Sequence, residues 1–373
     1  MLHLLQIDLP AVATTPLMVV WFLLVAVLWI GYLVMEGFDY GVGMLVPFLG
    51  KTEKERRVLV NTIGPVWDGN QVWLLTAGGA MFAAFPGWYS ALFSGLYLPL
   101  FLVLVGLIIR GVSFEYRSKR PNTKWRAWFD WMTAIGSFLV PLVFGVGFTN
   151  FVIGLPLVQA AAGSPLLVVA TDPANVGATP YFWQLFTSAF GLPLLGGIVL
   201  VVAFLFHGSI YLVLKTRGEL QARAKSFAAM IGIVAIVGGA IFLVIQNLAH
   251  PTGLLGWVFL VVAAVGLILA WLMIRGGRPG VAFIGTCVAI LGVAGGIFTA
   301  IFGNLGFTDA ATGAPYADMM ARAASSELTL TIMVVAACVF VPIVLAYTVW
   351  SYWTFRHPLS VANIPDEALV PAN

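Results

Sequence analysis

Nine stretches of this chain stay apolar over the length that a lipid bilayer demands. A spanning helix needs about 20 mostly apolar residues in succession. On that template the spans run at about 17–49, 58–85, 88–110, 127–154, 181–214, 227–249, 253–274, 280–304 and 328–355. Backbone groups left unpaired in lipid are costly, so such a chain folds as a helical bundle. Composition points the same way, with 61% of the 373 residues hydrophobic and 9% charged, against about 25% charged in soluble domains. The expectation is an all-α integral membrane protein: one polytopic domain over 1–373, with about nine transmembrane helices.

The basic residues then orient the bundle. Lys51, Lys54, Arg56 and Arg57 follow the first span, and Arg110, Arg117, Lys119, Arg120, Lys124 and Arg126 separate the third from the fourth. Lys215, Arg217, Arg223 and Lys225 follow the fifth, Arg275 and Arg278 the seventh, and Arg356 the ninth. Seventeen of the eighteen Lys and Arg thus fall on one side, with Arg322 the exception, while Asp172, Asp309, Asp318 and Glu327 fall on the other. By the positive-inside rule the N-terminus is expected outside and the C-terminus in the cytoplasm. The longest loops, about 155–180 and 305–327, then face outward. Trp125, Trp128, Trp131, Trp350 and Trp353 stand at span ends, where an aromatic belt would place them. No cleavable signal peptide is expected, because the first apolar run continues at spanning length. Cys287 and Cys338 lie within apolar runs and form no disulfide or metal motif, and a net charge of +3 gives no reason to expect nucleic acid.

Ionisable side chains inside a membrane cost several kcal/mol and mark function by default. In "GPVWDGNQVWLLTAGG" Asp68 lies eleven residues after Arg57, or roughly 16 Å along a continuous helix, near the bilayer centre. Asn61 and Gln71 fall on the same side of that helix, and Pro65 frees the carbonyl of Asn61. A kinked polar stripe can hold water and hand on protons; Asn and Gln can equally serve as interhelical hydrogen bonds. The first span carries a second stripe, with Glu36 and Asp39 three residues apart and Tyr32 one turn earlier. Two close carboxylates in a low-dielectric site do not both ionise easily, which suits a relay. The alternative is an interfacial pair answered by Lys51 or Arg57. Gly37 and Gly41, at small-xxx-small spacing, and Gly43 admit a close helix neighbour.

The histidines argue against haem in this chain. A bis-His haem needs two facing imidazoles, yet His3, His250 and His357 lie at termini or in a loop and only His207 falls within a span. His207 reads as a bonded core histidine, and no metal site is expected. His207 could alternatively be a lone ligand, and the haems of a redox complex would then sit mainly in a partner.

The strings "GFDYGVGML", "ERRVLVNTIGPVWDGNQVWLLTAGGAMFAAFP", "FSGLYLPLFLVLVGLIIRGVSFEYRSK" and "SSELTLTIMVVAACVFVPIVLAYTVWSYW" resemble subunit II of cytochrome bd-type quinol oxidases. The resemblance is dense over 30–150 and 325–355 and rests on topology between them. It implies a quinol:oxygen oxidoreductase of the bacterial or archaeal-type cell (inner) membrane. A homologous subunit I would carry haems b and d, or b alone, and bind the quinol. Oxygen would be reduced to water with cytoplasmic protons, charging the membrane without a pump. It further implies that Asp68 lies on the cytoplasmic proton path and that Glu36 and Asp39 belong to the same polar interior. Trp73 would line a lateral oxygen entry, with Trp67 packing beside it. Some members hold a structural quinone in this subunit, at residues not assignable here, and some complexes add small single-span subunits. The short turn at 250–252 looks abbreviated beside some relatives. Two other readings compete: an ion-coupled secondary transporter, against which the unrepeated WDGNQVW string counts, and a purely structural partner of subunit I.

Overall fold

The computed structural model describes residues 12–159, 167–169, 179–310 and 312–365. Twelve α-helices and a small sheet make up the described chain. The helices are α1 (Pro16–Leu49), α2 (Glu53–Ile63), α3 (Trp67–Ala84), α4 (Pro86–Gly95), α5 (Tyr97–Tyr116) and α6 (Thr123–Ile153). They continue as α7 (Thr179–Lys215), α8 (Glu219–Ala249), α9 (Gly253–Arg275), α10 (Pro279–Ala300), α11 (Met319–Ala323) and α12 (Glu327–Thr354). Among the described residues, eight helices are long and apolar enough to cross a membrane: α1, α5 to α10 and α12. The protein is all-α and membrane-embedded.

Two expected spans are broken. The stretch 58–85 is not one helix, because the chain leaves α2 at Gly64 and re-enters helix at Trp67. Pro65 between them has no N–H to give to Asn61, and the turn is closed instead by Val66 N donating to Ile63 O at 2.9 Å. The stretch 88–110 divides at Leu96, four residues after Leu92 and three before Pro99, whose missing N–H leaves the Gly95 carbonyl without its helical partner. α7 is also interrupted, at Ser188–Gly191, where Ala189, Phe190 and Gly191 have positive φ.

Strands β1 (Leu155–Gln159), β2 (Leu167–Val169) and β3 (Phe307–Asp309) close one end of the bundle. They are ordered β2-β1-β3, with β1 antiparallel to β2 and parallel to β3. Buried Leu155, Leu157, Val169 and Phe307 seal the sheet onto an aromatic cluster that includes Trp21, Phe22, Trp88 and Phe298. The opposite end is held by charge. Arg117 donates to both Asp130 (2.6 Å) and Glu53 (2.9 Å), joining the ends of α5, α6 and α2. Glu55 closes the N-terminal capping box of α2 with Thr52 and pairs with Arg223 of α8. This is the end to which the positive-inside pattern assigned the basic loops, with one correction. Arg110, counted among those loop residues, is fully buried inside the bundle, because α5 runs on to Tyr116.

Between the two ends, helices meet through small residues, since lipid tails supply little hydrophobic drive for association. A Cβ at Gly41 would lie 2.8 Å from the Gly208 Cα, so α1 and α7 cross backbone to backbone. Gly37 sits under the Phe204 ring of the same helix. Gly208→Val should therefore separate α1 from α7 and lower stability by about 1–3 kcal/mol or more; the melting temperature of the purified protein in detergent measures it. The Glu55 tie is acid-sensitive. Burial raises its pKa, but the backbone N–H groups of Lys51 and Thr52 and the Arg223 guanidinium outweigh that and hold it below the ordinary value of 4.5. A carboxylate depressed on folding stabilises above its unfolded pKa and loses that contribution as pH falls through the folded one. The melting temperature should hold down to pH 4.5 and fall below it, less steeply in Glu55→Gln.

Candidate functional site

The middle of α1 is polar and wholly enclosed. Glu36 and Asp39 are both 0% exposed, one turn apart on the face packed against α3 and α6. Arg110 of α5, also 0% exposed, donates through Nη1 to Glu36 Oε1. Its guanidinium lies 4.6 Å from the centroid of the Tyr40 ring and 5.2 Å from that of Phe114, positions in which aromatic faces help to solvate a cation. Tyr40 and Tyr32 share a 2.6 Å hydroxyl hydrogen bond beside it. The carboxylate of Glu36 is thus answered from within the bundle, not by Lys51 or Arg57.

Asp39 is bonded by a residue that the sequence did not single out. Asn70, 2% exposed, donates Nδ2–H to Asp39 Oδ2 at 2.7 Å and to the Met35 carbonyl at 3.2 Å. Its Oδ1 accepts from the hydroxyl of Tyr352 on α12 at 2.7 Å. The carboxyls of Glu36 and Asp39 approach each other, and apart from that approach Glu36 Oε2, Asp39 Oδ1, and Arg110 Nε and Nη2 have no hydrogen-bond partner among the described residues. Buried polar atoms of this kind are normally met by water. One guanidinium against two carboxylates also leaves a charge that a shared proton can balance.

Asp68 stands elsewhere than expected. It lies in the first turn of α3, exposed on this chain, not midway along an unbroken helix. Residues two apart on a helix point to opposite sides, about 200° around the axis, so α3 turns Asn70 inward and Asp68 outward. Asn61 is exposed on α2, and Gln71 is half-buried with Oε1 unpartnered. The stripe of Asn61, Asp68 and Gln71 dissolves, because extrapolating one helical wheel across residues 64–66 ignores the break there. Trp67 packs on Phe114, 5.1 Å between centroids, and Trp73 on Gly31. Neither lines the apolar cavity of about 790 Å³ that opens beside α3, α4, α5 and α6, bordered by Trp29, Leu74, Gly78, Phe82, Phe101 and Leu104.

His207 is buried with both ring nitrogens bonded, Nδ1 to the Thr286 hydroxyl at 2.7 Å and Nε2 to the Val34 carbonyl at 3.0 Å. The carbonyl can only accept, so Nε2 carries the proton. With that ring occupied and His250 and His357 outside the helices, no two described imidazoles face one site. The described residues of this chain do not fit a bis-His haem. His3 and Asp172 lie outside the described residues.

A membrane-embedded α-bundle that encloses the carboxylates of Glu36 and Asp39 and the guanidinium of Arg110 at 0% exposure, with no two facing imidazoles among its described residues, defines the class. Comparison with known proteins defines the family. Residues 17–355 match the family model for cytochrome bd terminal oxidase subunit II. The chain is 36% identical over 344 residues to cytochrome bd ubiquinol oxidase subunit 2 of Bacillus subtilis (strain 168), covering 91% of this chain and 96% of that one. It is 38% identical over 365 residues to cytochrome bd-I ubiquinol oxidase subunit 2 of Escherichia coli (strain K12), covering 90% and 93%. A chain of the bd oxidase from Geobacillus thermodenitrificans superposes with a TM-score of 0.70 at 16% identity, over 91% of this chain and 99% of that one, and so shares the fold. The chain belongs to the cytochrome bd terminal oxidase subunit II family.

Arg110 should be the most sensitive residue of the cluster. Removing one partner of a buried ion pair typically costs about 3–5 kcal/mol, because the other charge stays buried and unpaired. Arg110→Met should therefore lower the yield and melting temperature of folded protein. Combining it with Glu36→Gln should recover much of the loss, read in the same melting assay.

Proposed function

We infer that this chain, as subunit II of a bd-type terminal quinol oxidase, supplies the partner subunit with a proton path from the cytoplasmic side. The observation that carries this reading is the enclosed cluster of Glu36, Asp39, Arg110 and Asn70, in which two carboxylates are set one turn apart in the membrane with unpartnered oxygens beside them. Protons would enter near the ionic end of the bundle, pass Asp68 on the exposed face of α3, and reach Glu36 and Asp39. Asp68 faces outward from this chain, as a residue at a subunit interface would. α12 supports an interface as well, with 6% of its spanning window buried within this chain, against 28–56% for the other seven apolar helices.

The partner in this reading is a haem-bearing subunit I, where quinol is oxidised and oxygen reduced to water. No step here is assigned to a haem, since the described residues of this chain offer no two facing imidazoles. Proton uptake on one side and release from quinol on the other would charge the membrane without pumping. The proposed orientation puts the ionic end of α2, α5, α6 and α8 in the cytoplasm, the β-sheet outside, and α3 as a ninth spanning element in a cell membrane. For oxygen, the reading is an apolar entry along α3, with the 790 Å³ cavity on its lipid side and Trp67 and Trp73 packing its inner side.

Asp68→Asn separates a carrier from a scaffold. In the complex purified with its partner, the variant should keep its haem content while quinol-driven oxygen uptake slows by about a hundredfold, the low end of proton-transfer effects. Unchanged uptake at full haem content would leave the chain a purely structural partner.

A further inference from the structure

The hydrogen bond between α12 and Asn70 has no role in the proton path as drawn above. Asn70 is almost completely buried, and its amide has two acceptors at one end, the Met35 carbonyl and Asp39 Oδ2, and one donor at the other, the Tyr352 hydroxyl. Only one orientation of the amide satisfies all three. α12 itself is barely embedded: Leu330 is its one buried residue. Its other polar ties to the bundle lie at its ends, Trp21 Nε1 donating to Leu330 O at 2.9 Å near the start and Lys215 Nζ donating to Phe355 O just past the end. Against that background a half-buried phenol turned inward needs a reason, since an apolar ring would pack equally well against Phe38, whose ring it meets edge-on with centroids 6.4 Å apart. What the hydroxyl adds is a donor for Asn70 Oδ1.

We propose that Tyr352 is a positioning residue, whose hydroxyl holds the Asn70 amide against Asp39 and so ties the terminal helix to the buried carboxylates. Asn70 is the amide donor to Asp39 Oδ2, and Glu36 is the other side chain that reaches the Asp39 carboxyl among the described residues. When the Tyr352 hydroxyl is removed, Oδ1 of Asn70 becomes an orphaned acceptor in a buried site. The amide then relaxes by turning away, and Asp39 loses its donor. Neighbouring bonds in such a chain also polarise one another, so a donor on Oδ1 strengthens the N–H on the far side. The charged and titratable groups around Asp39 are Glu36 and Tyr40 on α1, Arg110 on α5, Tyr211 on α7 and Tyr352 on α12. Tyr352 is the one that reaches Asp39 through Asn70. The functional consequence rests on the reading of Asp39 as a proton carrier; the positioning itself does not.

The test uses the complex purified with its partner. Redox-triggered infrared difference spectra would show the carboxyl band of Asp39, assigned by its loss in Asp39→Asn. Tyr352→Phe should retain haem, shift that band and slow oxygen uptake about fivefold, within the range of short-range coupling effects. On an Asn70→Ala background Tyr352→Phe should cost nothing further, because Tyr352 acts through Asn70. Trp21→Phe, which cuts a different tie of α12, should leave both band and uptake unchanged. An Asp39 band unmoved by Tyr352→Phe, or a full additive loss on the Asn70→Ala background, would overturn the proposal. A band that moves while Asp39→Asn turns over normally would uphold the positioning and sink the carrier role. Should Tyr352→Phe fail to assemble, 3-fluorotyrosine at position 352 keeps the packing and changes only the donor strength. The Asp39 band must then still move.

Discussion

Burying Glu36 beside Asp39 in the middle of a lipid-embedded helix is the constraint to which much of this structure answers. Neither carboxylate touches solvent, and a single isolated charge there would cost far more than a small domain's net stability. The solution brings a guanidinium from α5, the faces of Tyr40 and Phe114 around it, and an amide from α3. Each of those elements must sit within hydrogen-bond or ring-contact distance of α1. On its other sides α1 is lined with glycines at 37, 41 and 43, which let α7 (Phe204, Gly208) and α6 (Ser137) close over the same segment. Close helix packing and the polar centre are therefore two consequences of the same need to exclude lipid from a charged cluster.

The break between α2 and α3 belongs to the same arrangement. By ending α2 at Gly64 and restarting at Trp67, the chain delivers Asn70 inward to Asp39 and leaves Asp68 facing outward. α2 is fixed independently, by Glu53 to Arg117, by Glu55 to Arg223, and by the Tyr211 hydroxyl donating to the Thr62 carbonyl at 3.1 Å. Charge at the bundle's end thus sets where a polar helix begins in its middle. The ionic end and the buried cluster are separate in space but joined through one short helix.

Membership of the subunit II family places this arrangement in a terminal oxidase, and the chain's own chemistry agrees with a supporting role for it. Its one described intramembrane histidine spends both nitrogens on Thr286 and Val34. What the chain offers is acids, amides and hydroxyls, the groups that hold and pass protons. α12, with 6% of its spanning window buried, ties that interior to the surface of the chain through Tyr352.

Much of this could be read from the residues alone. Apolar run lengths and the placement of Lys and Arg specify a helical membrane bundle, because lipid permits little else. Glu36 and Asp39 stand out because an acid in an apolar run is conspicuous, and the WDGNQVW string carried the family. Three members of the site were not visible. Arg110 passed for a loop residue, since a charge near the end of an apolar run looks the same whether it faces water or a buried acid. A helical wheel drawn through residues 64–66 points to Asn61 and Gln71 and not to Asn70, since it does not register the break there. Tyr352, 313 positions from Asp39 in the chain, joins the cluster only when α12 folds back beside α1 and α3. Periodicity and hydropathy are local properties and determine which segments are helices; which polar atoms satisfy one another is a matter of distances between helices, and only their packing decides it.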